Sequence, residues 1–206
     1  MASTYRLPHV AESTFGKWFL STQIWETRVL DVAIDDLIGL IPGARASYPI
    51  VVDLGCGSGK SFVRLHERFS PEEIIGIDID AEMLRLSNRE AEMRGLNVSL
   101  IQGNCSLLPL PDASVDMLFC HQTYHQLIDQ EGAMKEFHRV LRSGGVLLFG
   151  ESTRSFIHSW IIRLLFRHPM DVQKSAPEYL EIIRGMGFEV GTGSTSFPYL
   201  WWSRKD

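Results

Sequence analysis

Ten residues, Val51 to Lys60, limit what this chain can become more than any other stretch. Pro49-Ile-Val-Val-Asp-Leu54 is a short run of β-branched and aliphatic residues leading into Gly55-Cys-Gly-Ser-Gly59. An apolar run that ends in closely spaced glycines predicts a buried parallel strand, a tight turn and a helix N-terminus. Glycines there let the backbone come close to a ligand, because no side chain intervenes. The free N–H groups of the first helical turn then face that ligand. The next apolar run, Ile74-Ile-Gly-Ile-Asp78, ends in an acid 23 residues beyond Gly55. In a βαβ nucleotide site, an acid so placed takes both ribose hydroxyls. The two stretches together predict a nucleoside ligand and say little about what reacts with it.

The glycine spacing narrows the choice of nucleoside. A dinucleotide site uses G-x-G-x-x-G, whereas Gly55, Gly57 and Gly59 are spaced G-x-G-x-G, with Asp53 two residues ahead. This pattern resembles motif I of the class I S-adenosylmethionine-dependent methyltransferases. Further stretches fall in register with that family. Ile77-Asp-Ile-Asp-Ala-Glu-Met-Leu84 resembles its second motif, and Gly103-Asn-Cys followed by Leu108-Pro-Leu-Pro-Asp112 resembles its third. Leu141-Arg-Ser-Gly-Gly145 with the apolar run Val146–Glu151, and Gly187-Phe-Glu-Val190, extend the match. The resemblance covers residues 50–151 closely and 176–202 loosely.

What the resemblance implies is an α/β fold: a Rossmann-like doubly wound sheet of seven strands, mostly parallel, with an antiparallel last strand and helices on both faces. One domain spans 1–206. Within it, 1–48 form an N-terminal helical cap, 50–151 the cofactor-binding core, 152–175 a variable lid-like segment, and 176–206 a last helix and strands. By the same resemblance, Asp53 and the loop Gly55, Cys56, Gly57 and Gly59 hold the methionine end of S-adenosylmethionine. Asp78 takes the ribose, Ile79 and Met83 flank the adenine, and Asn104 and Cys105 meet its edge. Asn104 stands where the family often has an acid; an amide can still accept and can also donate. Cys120 or His121 lies near the sulfonium. The cofactor carries the difficult chemistry, and S-adenosylhomocysteine is the product.

Candidates for proton transfer follow the predicted fourth strand. His121, Tyr124 and His125 are spaced i, i+3, i+4, which predicts one helical face at the carboxyl ends of the strands, where ligands of open α/β sheets sit. An imidazole that titrates near neutrality can take a proton from an acceptor. His125 lines up with a histidine that many family members keep. His121, His125 and Asp129 at i, i+4, i+8 are a feeble metal pattern, and no metal is expected.

Elsewhere the reading is coarser. Phe15, Trp18, Phe19 and Trp25 precede a helical pattern that runs through Val29, Ala33, Leu37 and Leu40, stopped by Pro42-Gly-Ala. These aromatics either pack the sheet or cap the pocket. Phe156–Phe166 is apolar, punctuated by His158, Arg163 and Arg167, and predicts a packed helix or a cover over the substrate. Ser196–Trp202 predicts the final strand.

At 206 residues the chain has room for one sizeable core. A net charge of −5 argues against a nucleic-acid partner, which needs a basic field. A small-molecule acceptor is therefore expected, with a protein or RNA acceptor as the runner-up. No 18-residue apolar window predicts a membrane span, and Met1-Ala-Ser-Thr-Tyr-Arg6 lacks a secretory layout. Three cysteines without C-x-x-C spacing suggest a reduced, cytoplasmic protein. Oligomeric state does not follow from these residues. Two other classes share the early signals: an NAD(P)-dependent oxidoreductase, disfavoured by the glycine spacing, and a nucleoside-binding protein without turnover.

Overall fold

A computed structural model of the chain describes residues 10, 12–41, 48–191 and 200–205. The expected helix stop at Pro42-Gly-Ala and the 196–199 part of the expected last strand lie outside these residues. Five parallel strands form the centre: β1 (Ile50–Leu54), β2 (Glu73–Asp78), β3 (Val98–Gln102), β4 (Val115–His121) and β5 (Leu141–Gly150). They lie in the order β3-β2-β1-β4-β5. Beyond β5, β7 (Leu200–Lys205) runs antiparallel between β5 and β6 (Phe188–Gly191).

Alternation along the strands builds two cores from the same strands. Val52, Leu54, Leu118, Cys120, Leu147 and Phe149 face one side. They pack on Phe137 and Val140 of α6 (Gln130–Val140) and Tyr179 and Ile183 of α9 (Ala176–Gly185). Val51, Met117, Phe119 and Leu148 face the other side. There they meet Ala33, Ile34 and Leu37 of α3 (Asp31–Leu40) and Phe62, Leu65 and Phe69 of α4 (Phe62–Phe69). Central strands covered on both faces read as continuous apolar runs, and β4 is buried along its whole length. α5 (Ala81–Arg94) is capped by Asp80, whose side chain accepts from Glu82 N–H. Ser175 and Glu178 form a capping box for α9.

α1 (Thr14–Leu20) is followed by α2 (Gln23–Trp25), which passes through a π-helical turn at Glu26–Leu30 into α3. In the segment after β5, α7 (Arg154–Ile157) and α8 (Trp160–Leu165) replace the single helix that the apolar run suggested, with Ser159 as the break. Arg142–Gly145 loops out of the strand pairing: Leu141 is set against Val115 and Val146 against Met117, and Gly144 between them has φ 71. The segment lies within the bounds of β5, where the pairing with β4 shifts register between Val115 and Met117. Among the described residues, no helix is long and apolar enough to cross a membrane.

Candidate functional site

The strand order reverses between β1 and β4, and the crevice outside their carboxyl ends is where ligands of such sheets bind. A cavity of about 430 Å³ lies there. The loop after β1 forms its floor. Gly55 and Cys56 both donate to Ile77 O, at 2.7 and 3.0 Å, which folds the loop against the end of β2. Gly57 has φ 53, a left-handed value that disfavours a side chain. Its N–H donates to Asp78 Oδ2 at 2.9 Å, and its carbonyl accepts from Ser87 Oγ at 2.6 Å. Asp78 Oδ1 accepts from Asp80 N–H at 2.8 Å. Burial raises the Asp78 carboxyl pKa against these bonds. Each oxygen keeps a further lone pair on the carboxylate.

Seven of the expected residues border the cavity: Gly55, Gly57, Asp78, Ile79, Met83, Asn104 and Cys105. Asn104 Oδ1 accepts from Ser106 N–H at 2.8 Å, which fixes its amide in the wall.

The remaining expected residues do not border it. Gly59 serves packing: a Cβ there would stand 2.6 Å from the Phe62 ring and 3.1 Å from Ser87 Cα. Asp53 is buried under the loop and accepts from Ser61 Oγ at the start of α4. Burial lifts its pKa to about 7. Cys56 Sγ sits against Ser87 Oγ, and Cys120 Sγ donates to Glu151. Burial pushes all three thiols up, Cys105 to about 12, so none is a ready nucleophile.

The three candidates for proton transfer do not share a helical face. β4 continues through His121, Gln122 turns at φ 56, and Tyr124–Gln126 is a single 3₁₀ turn. Helical spacing cannot anticipate that left-handed residue. Tyr124 is fully buried and its hydroxyl donates to Gln130 O at 2.6 Å, so it is not a pocket residue. Burial moves its phenol pKa further up. His125 points beneath the turn, with Nδ1 2.6 Å from Glu151 Oε2. Glu151, fully buried at the end of β5, also accepts from the backbone N–H groups of Thr123, Tyr124 and His125. It fixes the turn that places Gln122 and Thr123 in the cavity wall. His121 lies just behind that wall, and burial lowers its pKa to about 4.

Residues that sequence reasoning missed close the crevice. Lys17 on α1 pairs with Asp80 at 2.5 Å and with Glu82 at 3.3 Å. The Asp80 bond raises the Lys17 pKa; burial works against Asp80, and Lys17 together with Glu82 N–H still holds Asp80 low. Glu12 also lines the cavity and accepts from Ser13 N–H, Gln126 Nε2 and Arg167 N–H. Ser13 Oγ donates to Leu165 O at 2.7 Å. The start of α1 is thus stitched to the end of α8. Leu127, Ile128 and Asp129 complete the wall. Among the described residues, no group of three His, Cys, Asp or Glu side chains is placed to hold a metal ion.

Residues 52–149 match the family described as "Methyltransferase domain". An uncharacterised methyltransferase-like protein of Schizosaccharomyces pombe is 34% identical over 68% of this chain and 54% of its own length. The demethylmenaquinone methyltransferase of Thermus thermophilus is 31% identical over 60% of this chain and 52% of its own. The chain spans about half the length of these curated relatives. A solved S-adenosylmethionine-dependent methyltransferase from Aquifex aeolicus has the same fold, with a TM-score of 0.69 over 91% of this chain and 95% of that one at 21% identity.

Proposed function

The chain belongs, through residues 52–149, to the class I S-adenosylmethionine-dependent methyltransferases, and from that premise we propose that it moves a methyl group to a small-molecule acceptor by in-line displacement. The observation that carries this reading is the left-handed Gly57 bonded to Asp78 on the floor of a cavity of about 430 Å³.

The residues present fit the cofactor. Asp78 offers one lone pair on each oxygen to a ribose diol. Ile79, Met83 and Leu127 offer apolar surface for a purine, and Asn104 a polar edge. Gly55 and Gly57 let backbone approach the methionine end, while Glu12 adds negative charge that suits its ammonium group. S-adenosylmethionine supplies an activated methyl group when bound. The chain's own task is positioning, which can lower a barrier by about 7–11 kcal/mol. No strong base is required of it. Of the three candidates for proton transfer, Tyr124 and His125 are committed to structure, which leaves His121, a weak base whose pKa burial lowers to about 4.

A small acceptor is favoured by the chain's charge of −5 and by relatives named for demethylmenaquinone. Three buried free thiols suit a reducing compartment, and we place the protein in the cytoplasm. Calorimetric titration with S-adenosylhomocysteine tests the reading. Wild type should bind it and not NADH. Asp78→Ala should weaken binding about 10–150-fold, the loss of charge-assisted bonds to the diol. Unchanged binding in the variant would sink the assignment.

A further inference from the structure

A second cluster lies above the carboxyl ends of β4 and β5, beside the crevice. His121 sits between Phe119, centroid distance 5.9 Å, and Trp25, 5.8 Å. Trp25 meets Phe19 edge-on at 5.8 Å, and Phe19 meets Phe166 at 6.0 Å. From Phe166 the path continues to His168 at 6.3 Å and on to His125 at 5.1 Å. His125 is held by Glu151, Glu151 holds Thr123 N–H, and Thr123 Oγ1 donates back to His121 O. The path closes. It is drawn from four separate segments: α1–α2, the end of β4 with its turn, Glu151 after β5, and the stretch after α8.

Two nitrogens on this circuit, His121 Nε2 and His168 Nδ1, are buried without a hydrogen-bond partner. His121 itself is only 8% exposed. An unpaired buried polar group is costly, and folded proteins keep few of them. Two on one circuit mark a place where another molecule supplies the partners. The aromatic walls suit the face or edge of a flat ring. Burial keeps both imidazoles uncharged at pH 7, each with a pKa near 4. Glu151 is already engaged by four donors of the turn. Among the side chains that make up the circuit, none is left free to pair with a charged ligand. Gln122 and Thr123, directly after His121, line the cofactor crevice, so the two sites adjoin.

Resting on the methyl-transfer reading, we propose that this circuit is the acceptor's subsite and takes a flat, uncharged ring bearing a hydroxyl group, which bonds to His121 Nε2. His168 Nδ1 is a second polar anchor on the same circuit.

Three probes test this on the full chain saturated with S-adenosylhomocysteine: 2-naphthol, naphthalene and 2-naphthoate, titrated calorimetrically. 2-Naphthol should bind about 3–10-fold tighter than naphthalene, the worth of one neutral hydrogen bond. The charged 2-naphthoate should bind more weakly than either. His121→Phe keeps a ring in place and should make naphthol and naphthalene equal. Trp25→Ala should weaken both. Each variant's homocysteine-nucleoside affinity reports whether it is folded. A wild type that takes no S-adenosylhomocysteine overturns the methyl-transfer reading and the subsite with it. A wild type that takes it and not 2-naphthol, or a His121→Phe that keeps the naphthol preference, overturns the subsite alone.

Discussion

The backbone N–H of Gly57 donates to the Asp78 carboxylate at 2.9 Å, so the loop after β1 and the acid ending β2 set each other's position. Any ligand that bonds to the Asp78 carboxylate therefore also senses the loop.

Gly57 and Gly59 should respond to alanine in opposite ways. A Cβ at Gly57 meets nothing within 4 Å, since it projects into open space. Gly57→Ala should cost only about 1–2 kcal/mol of stability, the left-handed penalty, yet weaken S-adenosylhomocysteine binding at least ~10-fold by filling the approach. Gly59→Ala adds a clash with Phe62 and Ser87 and should cost about 2–4 kcal/mol. Urea denaturation and calorimetry on both variants decide it; the reverse ranking would contradict the assigned roles.

Glu151→Gln should destabilise by about 3 kcal/mol, because an amide cannot accept on both sides of a site built from donors. Thr123 loses its anchor in the same change, so nucleoside affinity should fall too. A variant as stable as wild type would show that the turn holds itself.

Asp53 gives a pH signature. Its pKa is near 7 when folded and 3.8 unfolded. The native state therefore binds the extra proton between those values, and this group's contribution makes folding less favourable as pH rises through that window. Asp53→Asn removes the penalty. Its stability relative to wild type should improve by about 1–3 kcal/mol between pH 4 and pH 8. Parallel denaturation curves at both pH values, with an unchanged difference, would refute a protonated Asp53.

Lys17→Met should barely move the unfolding midpoint, since an ion pair a quarter exposed is worth at most about 1 kcal/mol. It should weaken nucleoside binding a few-fold at low salt by loosening α1, and the difference should shrink in high salt. Titrations at two ionic strengths measure both effects.

The parts readable in advance were those written locally. β-branched runs, the glycine loop and an acid at a strand end are each contiguous, and they led directly to Gly55, Gly57 and Asp78. The matched third motif led to Asn104 and Cys105. What failed was inferred from spacing across a backbone irregularity. His121, Tyr124 and His125 have helical spacing, but Gln122 breaks the chain direction with a positive φ. Arg142–Gly145 has the composition of a turn and does loop out of the register between β4 and β5. Lys17 and Glu12 carried no signal, because their partners lie on segments far along the chain, at Asp80, Gln126 and Arg167.

The strand order has a consequence for synthesis. β1 pairs with β4, Val51 against Met117, although β2 and β3 are made between them. A chain emerging from the ribosome can assemble the first three strands, with loop and acid in place, while half the sheet is still missing. The rear wall of the crevice waits for Glu151, whose side chain accepts from the backbone N–H groups of residues 123–125. The crevice is therefore complete only once β5 has been made, with Glu151 lying 96 residues beyond the loop at Gly55 that forms its floor.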